Sequence, residues 1–485
     1  MGADKFGKIF FRADGDEKMG LGHIIRSSAL ASTISGDFNN VLVTRCKIPS
    51  VLDEVSAFYD EVIQLPEGDL LSEAAKVSKI FLSADLIVLD GYFFDDKYQR
   101  ELLKHGFDFF SVDDIHATTF YSRAIINHSG GLTPFDYHAQ PATQFFLGPK
   151  YSLLRKPFLE AAKKRRLQVT NKHCFVCFGG ADPSNKTLEI LKNERIKSHF
   201  DEFHVVVGSA YQHQMELKEF VGSKENIFVY SSLSPQDLVG VMQRCCFAIC
   251  SPSTMVYEYM SVGGVVFLEQ IADNQKDVIK YMVGEKLGFV LGDIDFVDEN
   301  SIDHSLKKQS ECFDGRSDER FRKIFNQYFF SREIKVRRAE KTDLEICFEW
   351  ANDNLVRSQS YNQNQINLHE HTKWFYQKLE DPKTFFYIME MDQRPIAQIR
   401  FQVNNDDAVL GYLLDAKMRS KGLGTSVLAL GIERFIRDFQ KQVDITGYVK
   451  KTNVSSCHSF EKLAFEKTIS TEHPDSYKYT MRYGN

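Results

Sequence analysis

Two glycine-rich segments carry polar chemistry at opposite ends of the chain: Gly20-Leu21-Gly22-His23 and Arg419-Ser420-Lys421-Gly422-Leu423-Gly424. Glycine at a strand-to-helix turn lets backbone N–H groups approach a phosphate, and the positive end of the helix dipole favours its charge. His23 adds a group able to accept a proton near neutral pH. Arg419 and Lys421 add positive charge. The two segments differ in their neighbours, and together they predict two active sites with phosphorylated ligands.

Positioning these groups falls to the elements around them. Ile9-Phe10-Phe11-Arg12-Ala13-Asp14 is an apolar run ending in a polar turn, and Ser28, Ala31 and Ile34 then recur at helical spacing. Strands are predicted at Ile9–Ala13, Leu86–Leu89, Phe109–Val112, Ala124–Asn127, Cys174–Phe178, His204–Val207, Ile227–Tyr230, Phe247–Cys250 and Val265–Leu268. Most are β-branched or aromatic and nearly continuous in hydrophobicity, as strands covered on both faces should be. Alternation with helices implies parallel sheets in an α/β fold, and nine strands suit two doubly wound sheets. The charged, helix-like segment from Leu154 to Asn171 links them. A second break falls at Asp314–Arg332. Beyond it a new α+β pattern begins: Ile334–Arg338, a helix over Asp343–Asn352, then strands Phe385–Glu390, Ile396–Val403 and Val409–Leu414. The Gly422 loop follows that last strand and precedes a helix with Leu428, Ile432, Phe435, Ile436 and Phe439 on one face. The expected domains are 1–165, 166–333 and 334–485.

Composition narrows the function classes. At 485 residues, with 43% apolar and 26% charged residues, the chain reads as a multidomain globular protein. A formal net charge of −6, with no Lys/Arg run longer than Lys163-Lys164-Arg165-Arg166, argues against nucleic acid as a partner. No apolar stretch has the length of a membrane span, and the N-terminus lacks a signal-peptide core, so a cytoplasmic location is expected. The nine cysteines are scattered. Cys174 and Cys177 form a CxxC inside an apolar strand, no second CxxC or HxxxH completes a zinc site, and no metal is predicted.

Phe11-Arg12-Ala13-Asp14 followed by Gly20-Leu21-Gly22-His23-Ile24-Ile25-Arg26 resembles the opening of the UDP-sugar hydrolases of pseudaminic acid biosynthesis. Further matches run in order: Leu89-Asp90-Gly91-Tyr92, Val112-Asp113-Asp114, Leu147 to Arg155, Phe178-Gly179-Gly180-Ala181-Asp182-Pro183, Ser253-Thr254 with Glu258, and Asn274-Gln275. The resemblance spans nearly all of residues 6–310. It implies a two-lobed, GT-B-like fold that removes UDP from UDP-2,4-diacetamido-2,4,6-trideoxy-β-L-altrose, water replacing a sugar acceptor. His23 matches the family's proposed base, with Asp14, Asp90 and Tyr92 as groups that orient histidine, water or sugar. For Asp14 and Asp90 a turn-forming role at strand ends is an equal alternative. Asp113-Asp114 reads as a structural or sugar-contacting pair ahead of a metal-binding one. The UDP-sugar contacts implied are Gly22, Arg26, Asp90, Arg155, Gly180, Ser253, Thr254, Glu258, Asn274 and Gln275. Relatives carry Gly-Gly where Ser251-Pro252 stands, and Pro252 removes one N–H donor.

The second loop, with Asn453-Val454-Ser455-Ser456 and Phe460 to Phe465 downstream, resembles the GNAT acetyltransferases over about residues 334–482. Acetyl-CoA is then the cosubstrate. Its contacts would be Arg419, Lys421, Gly422, Leu423 and Gly424 on the pyrophosphate, Asn453 and Ser456 along the pantetheine arm, and the main chain of Leu413 and Leu414 facing the thioester carbonyl. Trp350, His371 and Trp374-Phe375 fit the branch that acetylates amino sugars or protein N-termini. His371 is open between a base, a sugar-nucleotide contact and a surface histidine. Two departures stand out: Phe460 where members carry a tyrosine that protonates the thiolate, and Ala464 where glycine is common.

Joined, the two resemblances imply consecutive steps: N-acetylation of a UDP-4-amino sugar, then release of UDP. A homodimer through the GNAT domain is a further expectation. Two alternatives stay open: a glycosyltransferase with a sugar or protein acceptor, and a C-terminal module that binds acetyl-CoA without turning it over.

Overall fold

In a computed structural model the described residues are 6–16, 20–68, 70–82, 85–180, 182–208, 210–222, 224–272, 275–405 and 407–483. Two compact units emerge. The first comprises residues 1–115, 126–133 and 147–322; the second comprises 116–125, 134–146 and 323–485.

The first unit is built on two sheets. Strands β1 (Lys8–Ala13), β2 (Asn39–Thr44), β3 (Glu61–Gln64), β4 (Leu86–Asp90), β5 (Phe109–Val112), β6 (Thr119–Phe120), β7 (Ala124–Asn127), β8 (His138–Ala139) and β9 (Gln144–Leu147) run in chain order, and of these β6, β8, residues 124–125 of β7 and residues 144–146 of β9 are counted with the second unit. All but β6 and β8, which pair with each other, form one sheet of order β3-β2-β1-β4-β5-β7-β9. Its first five strands are parallel. The chain leaves β1 to build β2 and β3 on one side, then returns to lay β4 on the other. That reversal opens a crevice at the carboxyl ends of β1 and β4. The second sheet holds β10 (His173–Cys177), β11 (Glu202–Val207), β12 (Ile227–Ser231), β13 (Phe247–Cys250), β14 (Val265–Leu268) and β15 (Phe289–Val290), in the order β12-β11-β10-β13-β14-β15. All its pairings are parallel. The same reversal recurs between β10 and β13.

Continuous apolar runs explain the central strands. Every residue of β4, β5, β7 and β14 is buried, as coverage by helices on both faces requires. Cys174 and Cys177 are free, buried thiols within β10.

In the second unit, β16 (Lys335–Arg338), β17 (Thr384–Met391), β18 (Arg394–Asn404), β19 (Asp407–Leu414), β20 (Val443–Lys450), β21 (Glu466–Ile469) and β22 (Ser476–Tyr483) form a mixed sheet of order β16-β17-β18-β19-β20-β22-β21. The helix Gly424–Phe439 covers one face with Val427, Leu428, Ile432 and Phe435. Phe435 stacks on Phe401 at 4.3 Å and 5°. The opposite face packs Phe386 and Ile388 against Cys347, Trp350 and Phe375 from two further helices. Among the described residues no helix is long and apolar enough to cross a membrane.

Candidate functional site

The first crevice draws its groups from loops that follow β1, β4 and β5. Gly20 turns the chain at φ +85°, and the helix Gly22–Ile34 starts at once. His23 is therefore in its first turn and Arg26 one turn further along. Asp90 ends β4, in register with Ala13 of β1. His23 Nδ1 lies 2.8 Å from Asp90 Oδ1. Arg26 Nε reaches both Asp90 oxygens at 2.9 Å, and a terminal nitrogen reaches Oδ1 at 2.7 Å. Another terminal nitrogen of Arg26 donates to Asp114 at 2.6 Å. Tyr92 donates to the same Asp114 oxygen at 3.1 Å and sets its ring edge-on to His23, centroids 4.5 Å apart.

These contacts fix the histidine's role. Asp90 is fully buried and bonded through both oxygens by the Arg26 guanidinium, and a carboxylate only accepts. An Arg26 terminal nitrogen also lies 3.0 Å from His23 Nδ1, but Arg26 has Asp90 and Asp114 as acceptors, so the Nδ1 hydrogen is assigned to the shorter 2.8 Å contact with Asp90. In neutral imidazole Nε2 is then the acceptor, and among the described residues it makes no hydrogen bond. Arg26 loses hydration on burial, but Asp90 and Asp114 outweigh that and hold its pKa above the ordinary value. Burial alone would push Asp114 up; Arg26 pulls it below the usual carboxylate range. Its second oxygen, Oδ1, is buried and without a partner. Burial and Asp114 keep the Tyr92 phenol protonated.

Of the other residues predicted for this site, Asp14 follows Ala13 at the end of β1, and its side chain is engaged on the β2 side. It takes a two-pronged pair from Arg12 at 2.5 and 2.8 Å and caps the backbone N–H of Arg45 at 2.6 Å. Arg12 is fully buried and also bonds Glu73. Gly22 opens the helix. His128, which no motif pointed to, is buried, stacks on Tyr257 at 4.8 Å, and feels Arg26 and Asp114. Burial first, then the Arg26 charge, lowers its pKa to about 4, so it is neutral at physiological pH.

Loops at the carboxyl ends of β10, β13 and β14 present Gly180, Ser253, Thr254 and Gln275, and Arg155 precedes the helix Lys156–Lys163. Gly180 follows Gly179, itself at φ +85°. A Cβ on Gly208 would sit 2.4 Å from the Gly180 carbonyl oxygen, so these two loops meet because Gly208 has no side chain. Ser253 and Thr254 start the helix Thr254–Val262, and Ser253 makes no side-chain cap. Glu258, buried one turn in, receives two bonds from Arg155 at 2.8 and 2.9 Å. Arg155 loses hydration by burial, yet Glu258 raises its pKa overall. Gln275 Oε1 accepts from the backbone of Ile271 at 2.9 Å and of Ala272 at 3.3 Å, bracing that loop. Asn274 lies outside the described residues.

The second unit holds its candidate site where two neighbouring strands part. β19 and β20 are parallel partners only from Asp407↔Asp444 to Leu410↔Gly447. β19 continues to Leu414, paired with β18 throughout. From Gly411 onward its other edge, including Leu413 and Leu414, has no strand beside it. Gly447 marks the fork, and a Cβ there would fall 2.5 Å from the Phe460 ring. Phe460 is buried and stacks on Tyr479 at 5.0 Å.

The loop after β19 alternates left-handed residues, Ser420 at φ +62° and Gly422 at φ +77°. Leu423 is buried and Gly424 begins the helix, so the loop's N–H groups collect at a helix N-terminus. Arg419 pairs with Asp353 at 2.8 Å and bonds the Leu414 carbonyl at 3.2 Å, while Lys421 is exposed. The Gln327 amide lies where a side chain on Gly422 would be. Asn453 caps the helix Val454–Glu461 through Ser456 N, and Ser456 Oγ meets the Tyr412 hydroxyl at 2.8 Å.

Trp350 is a core residue whose Nε1 donates to Asp415. His371 is buried, which corrects the surface reading; burial lowers its pKa, and its Nδ1 has no partner. Arg400 escaped the sequence reading altogether. Its guanidinium lies 4.7 Å over the Trp374 ring, and among the described residues it forms no ion pair and donates no hydrogen bond. Burial lowers its pKa to about 10. Gln398, two residues earlier on the same face of β18, has a buried, unpartnered Oε1.

Comparison with known proteins sorts the two units. Residues 333–466 match the acetyltransferase (GNAT) domain family, so the second unit carries a GNAT acetyltransferase domain. An uncharacterised protein of Methanocaldococcus jannaschii is 23% identical over 492 residues, 95% of this chain and 97% of its own length. The UDP-2,4-diacetamido-2,4,6-trideoxy-beta-L-altropyranose hydrolase of Campylobacter jejuni is 25% identical over 264 residues, 52% of this chain and 87% of its own. Among solved structures, a domain from Methanocaldococcus jannaschii aligns over 31% of this chain and 98% of its own at 19% identity, with a TM-score of 0.28. An aminoglycoside acetyltransferase in complex with coenzyme A covers 31% and 94% at 20% identity, with a TM-score of 0.27.

Proposed function

We propose that the chain is a bifunctional enzyme of pseudaminic acid biosynthesis. Its second unit transfers acetyl from acetyl-CoA to the 4-amino group of UDP-4-amino-4,6-dideoxy-N-acetyl-β-L-altrosamine. Its first unit then hydrolyses the product, UDP-2,4-diacetamido-2,4,6-trideoxy-β-L-altrose, to UDP and the free sugar.

One observation carries the hydrolytic half: His23, oriented by Asp90, offers an unpaired Nε2 at the crevice where β1 and β4 diverge. Nε2 takes a proton from water as the water oxygen attacks C1. The C1–O bond to UDP breaks, and the anomeric centre inverts in a single displacement. UDP is a weak base and leaves without a strong acid. Glycine loops and the start of helix Thr254–Val262, on the β10–β13 side, are the groups that favour its charge. Arg26, Asp114 and Tyr92 are the sugar-facing polar groups. Partial identity to the Campylobacter jejuni hydrolase supports the same reading.

For the acetyl transfer, the fork between β19 and β20 exposes backbone N–H groups beside Leu413 and Leu414. The neutral substrate amine attacks the thioester carbon, these N–H groups stabilise the oxyanion, the C–S bond breaks, and the amine gives up one proton to solvent as the amide forms. Phe460 cannot donate a proton, and a thiol of pKa about 8.5 leaves as thiolate unassisted. Placing both activities on one chain raises the local concentration of the shared intermediate.

Mass spectrometry of products from the 4-amino UDP-sugar and acetyl-CoA tests both halves. Wild type is expected to yield free diacetamido sugar, CoA and UDP. His23→Ala is expected to accumulate the acetylated UDP-sugar. Absence of both CoA and UDP from wild type refutes the reading.

A further inference from the structure

We propose that His173, Glu202 and His204 form a binding site for one divalent transition-metal ion of the zinc class, at the end of its sheet opposite the candidate crevice of the same unit. The three sit at the amino ends of β10 and β11, whereas the glycine loops of the crevice follow the carboxyl ends of the same sheet. Register brings them together. His173 is the cross-strand partner of Glu202, and His204, two residues along β11, shares its face.

Distances favour a metal. A tetrahedral ion with bonds of roughly 2.0–2.2 Å to nitrogen and oxygen separates its ligand atoms by about 3.3–3.5 Å. Glu202 Oε2 lies 3.3 Å from His204 Nε2 and 3.5 Å from His173 Nδ1. All three donor atoms fall within 4.8 Å of one another. Two imidazoles and one carboxylate leave a fourth position for water and suit zinc over calcium or magnesium.

The surroundings hold the ligands in place. His204 is buried, stacks on Phe228 at 5.0 Å, and places Nδ1 3.1 Å from the Tyr230 hydroxyl. With a metal on Nε2, Nδ1–H donates to Tyr230, an outer-shell contact of the kind that orients metal-binding histidines. His173 and Glu202 are partly exposed and give the ion a path from solvent. The ion would pin β10 to β11 at the end away from the crevice. Local motifs could not reveal it, because His173 and Glu202 meet only through strand pairing.

Chelator-treated full-length protein titrated with zinc chloride, and with cobalt chloride for visible absorption, tests the assignment. Wild type is expected to bind one equivalent, with the absorption of four-coordinate cobalt. His173→Gln, on a partly exposed side chain that leaves the sheet core intact, is expected to lose that equivalent. Tyr230→Phe is expected to weaken binding about tenfold. If wild type takes up no zinc at micromolar concentration, or if His173→Gln binds with unchanged stoichiometry and affinity, the assignment is overturned. Neither readout depends on acetyl transfer or UDP release.

Discussion

His23, Asp90 and Arg26 form a unit in which one carboxylate both orients an imidazole and neutralises a guanidinium. Losing the acceptor nitrogen while keeping that pair intact should slow chemistry and spare binding. His23→Ala is expected to lower kcat for UDP release by about 10²–10⁴-fold, with KM within a few-fold, in a coupled UDP assay. His128 makes a different prediction. Its pKa falls from 6.5 to about 4 on folding, so the unfolded chain binds the extra proton first. Stability from keeping this ring neutral is complete above pH 6.5 and drains away as pH falls toward 4, in total about 3 kcal/mol. Urea midpoints for His128→Asn are expected to fall less steeply than wild type across that window. Arg400 has no acceptor among the described residues, and under the proposed function it is the cation that meets the amino-sugar. Arg400→Met is expected to raise the melting temperature and to raise KM for the amino-sugar about tenfold, since a charge-assisted hydrogen bond is worth roughly 1.5–3 kcal/mol. His23 was legible because a glycine turn announces it. His128 and Arg400 sit in ordinary strand-like text, and their meaning comes from what the fold places, or fails to place, around them.

Strand identity was legible where hydrophobicity ran unbroken, as in Phe109–Val112 and Phe247–Cys250, which match β5 and β13 residue for residue. It failed at β2, whose Asn39-Asn40 opening hides a strand, and at β3, a four-residue edge that is only half-buried. The closing strands β20, β21 and β22 were missed as well; every residue of β21 is exposed, so burial left no apolar signature. The fork between β19 and β20 was invisible because it is a property of two strands whose shared register starts at Asp407 and Asp444, with a loop and a helix between them, and no local pattern encodes it. Ala464 illustrates a departure that acquires a physical cost. It adopts φ +57°, a conformation that favours glycine. Ala464→Gly is expected to raise stability by about 0.5–1 kcal/mol, read from the urea midpoint at constant slope. Gly447→Ala should do the reverse, costing about 1–3 kcal/mol as its Cβ meets the Phe460 ring at 2.5 Å.

The second unit is discontinuous in sequence: Ala142 lies in its main hydrophobic cluster, and Phe145 N donates to the Lys462 carbonyl. Arg123 pairs with Glu433 across the same gap in the chain. A cavity of about 950 Å³ is lined by Phe135, Tyr137 and Phe145 together with Ile436, Leu463 and Met481. A chain beginning at Lys323 therefore lacks part of its own core. It is expected to unfold at lower urea than the same unit within the full chain, monitored by protease resistance of its tryptophan-containing fragment. The expected boundaries at 165 and 333 followed composition, and composition cannot report a segment that is borrowed from far upstream. That borrowing also has a consequence in time. Residues 134–146 leave the ribosome more than 300 residues ahead of Lys462 and Met481. At roughly 5–20 residues per second they wait on the order of 20–60 s for the partners that complete their unit. During synthesis this stretch of apolar chain is an orphan; a slower ribosome lengthens its exposure, and a chaperone's hold would cover it until the last strands arrive.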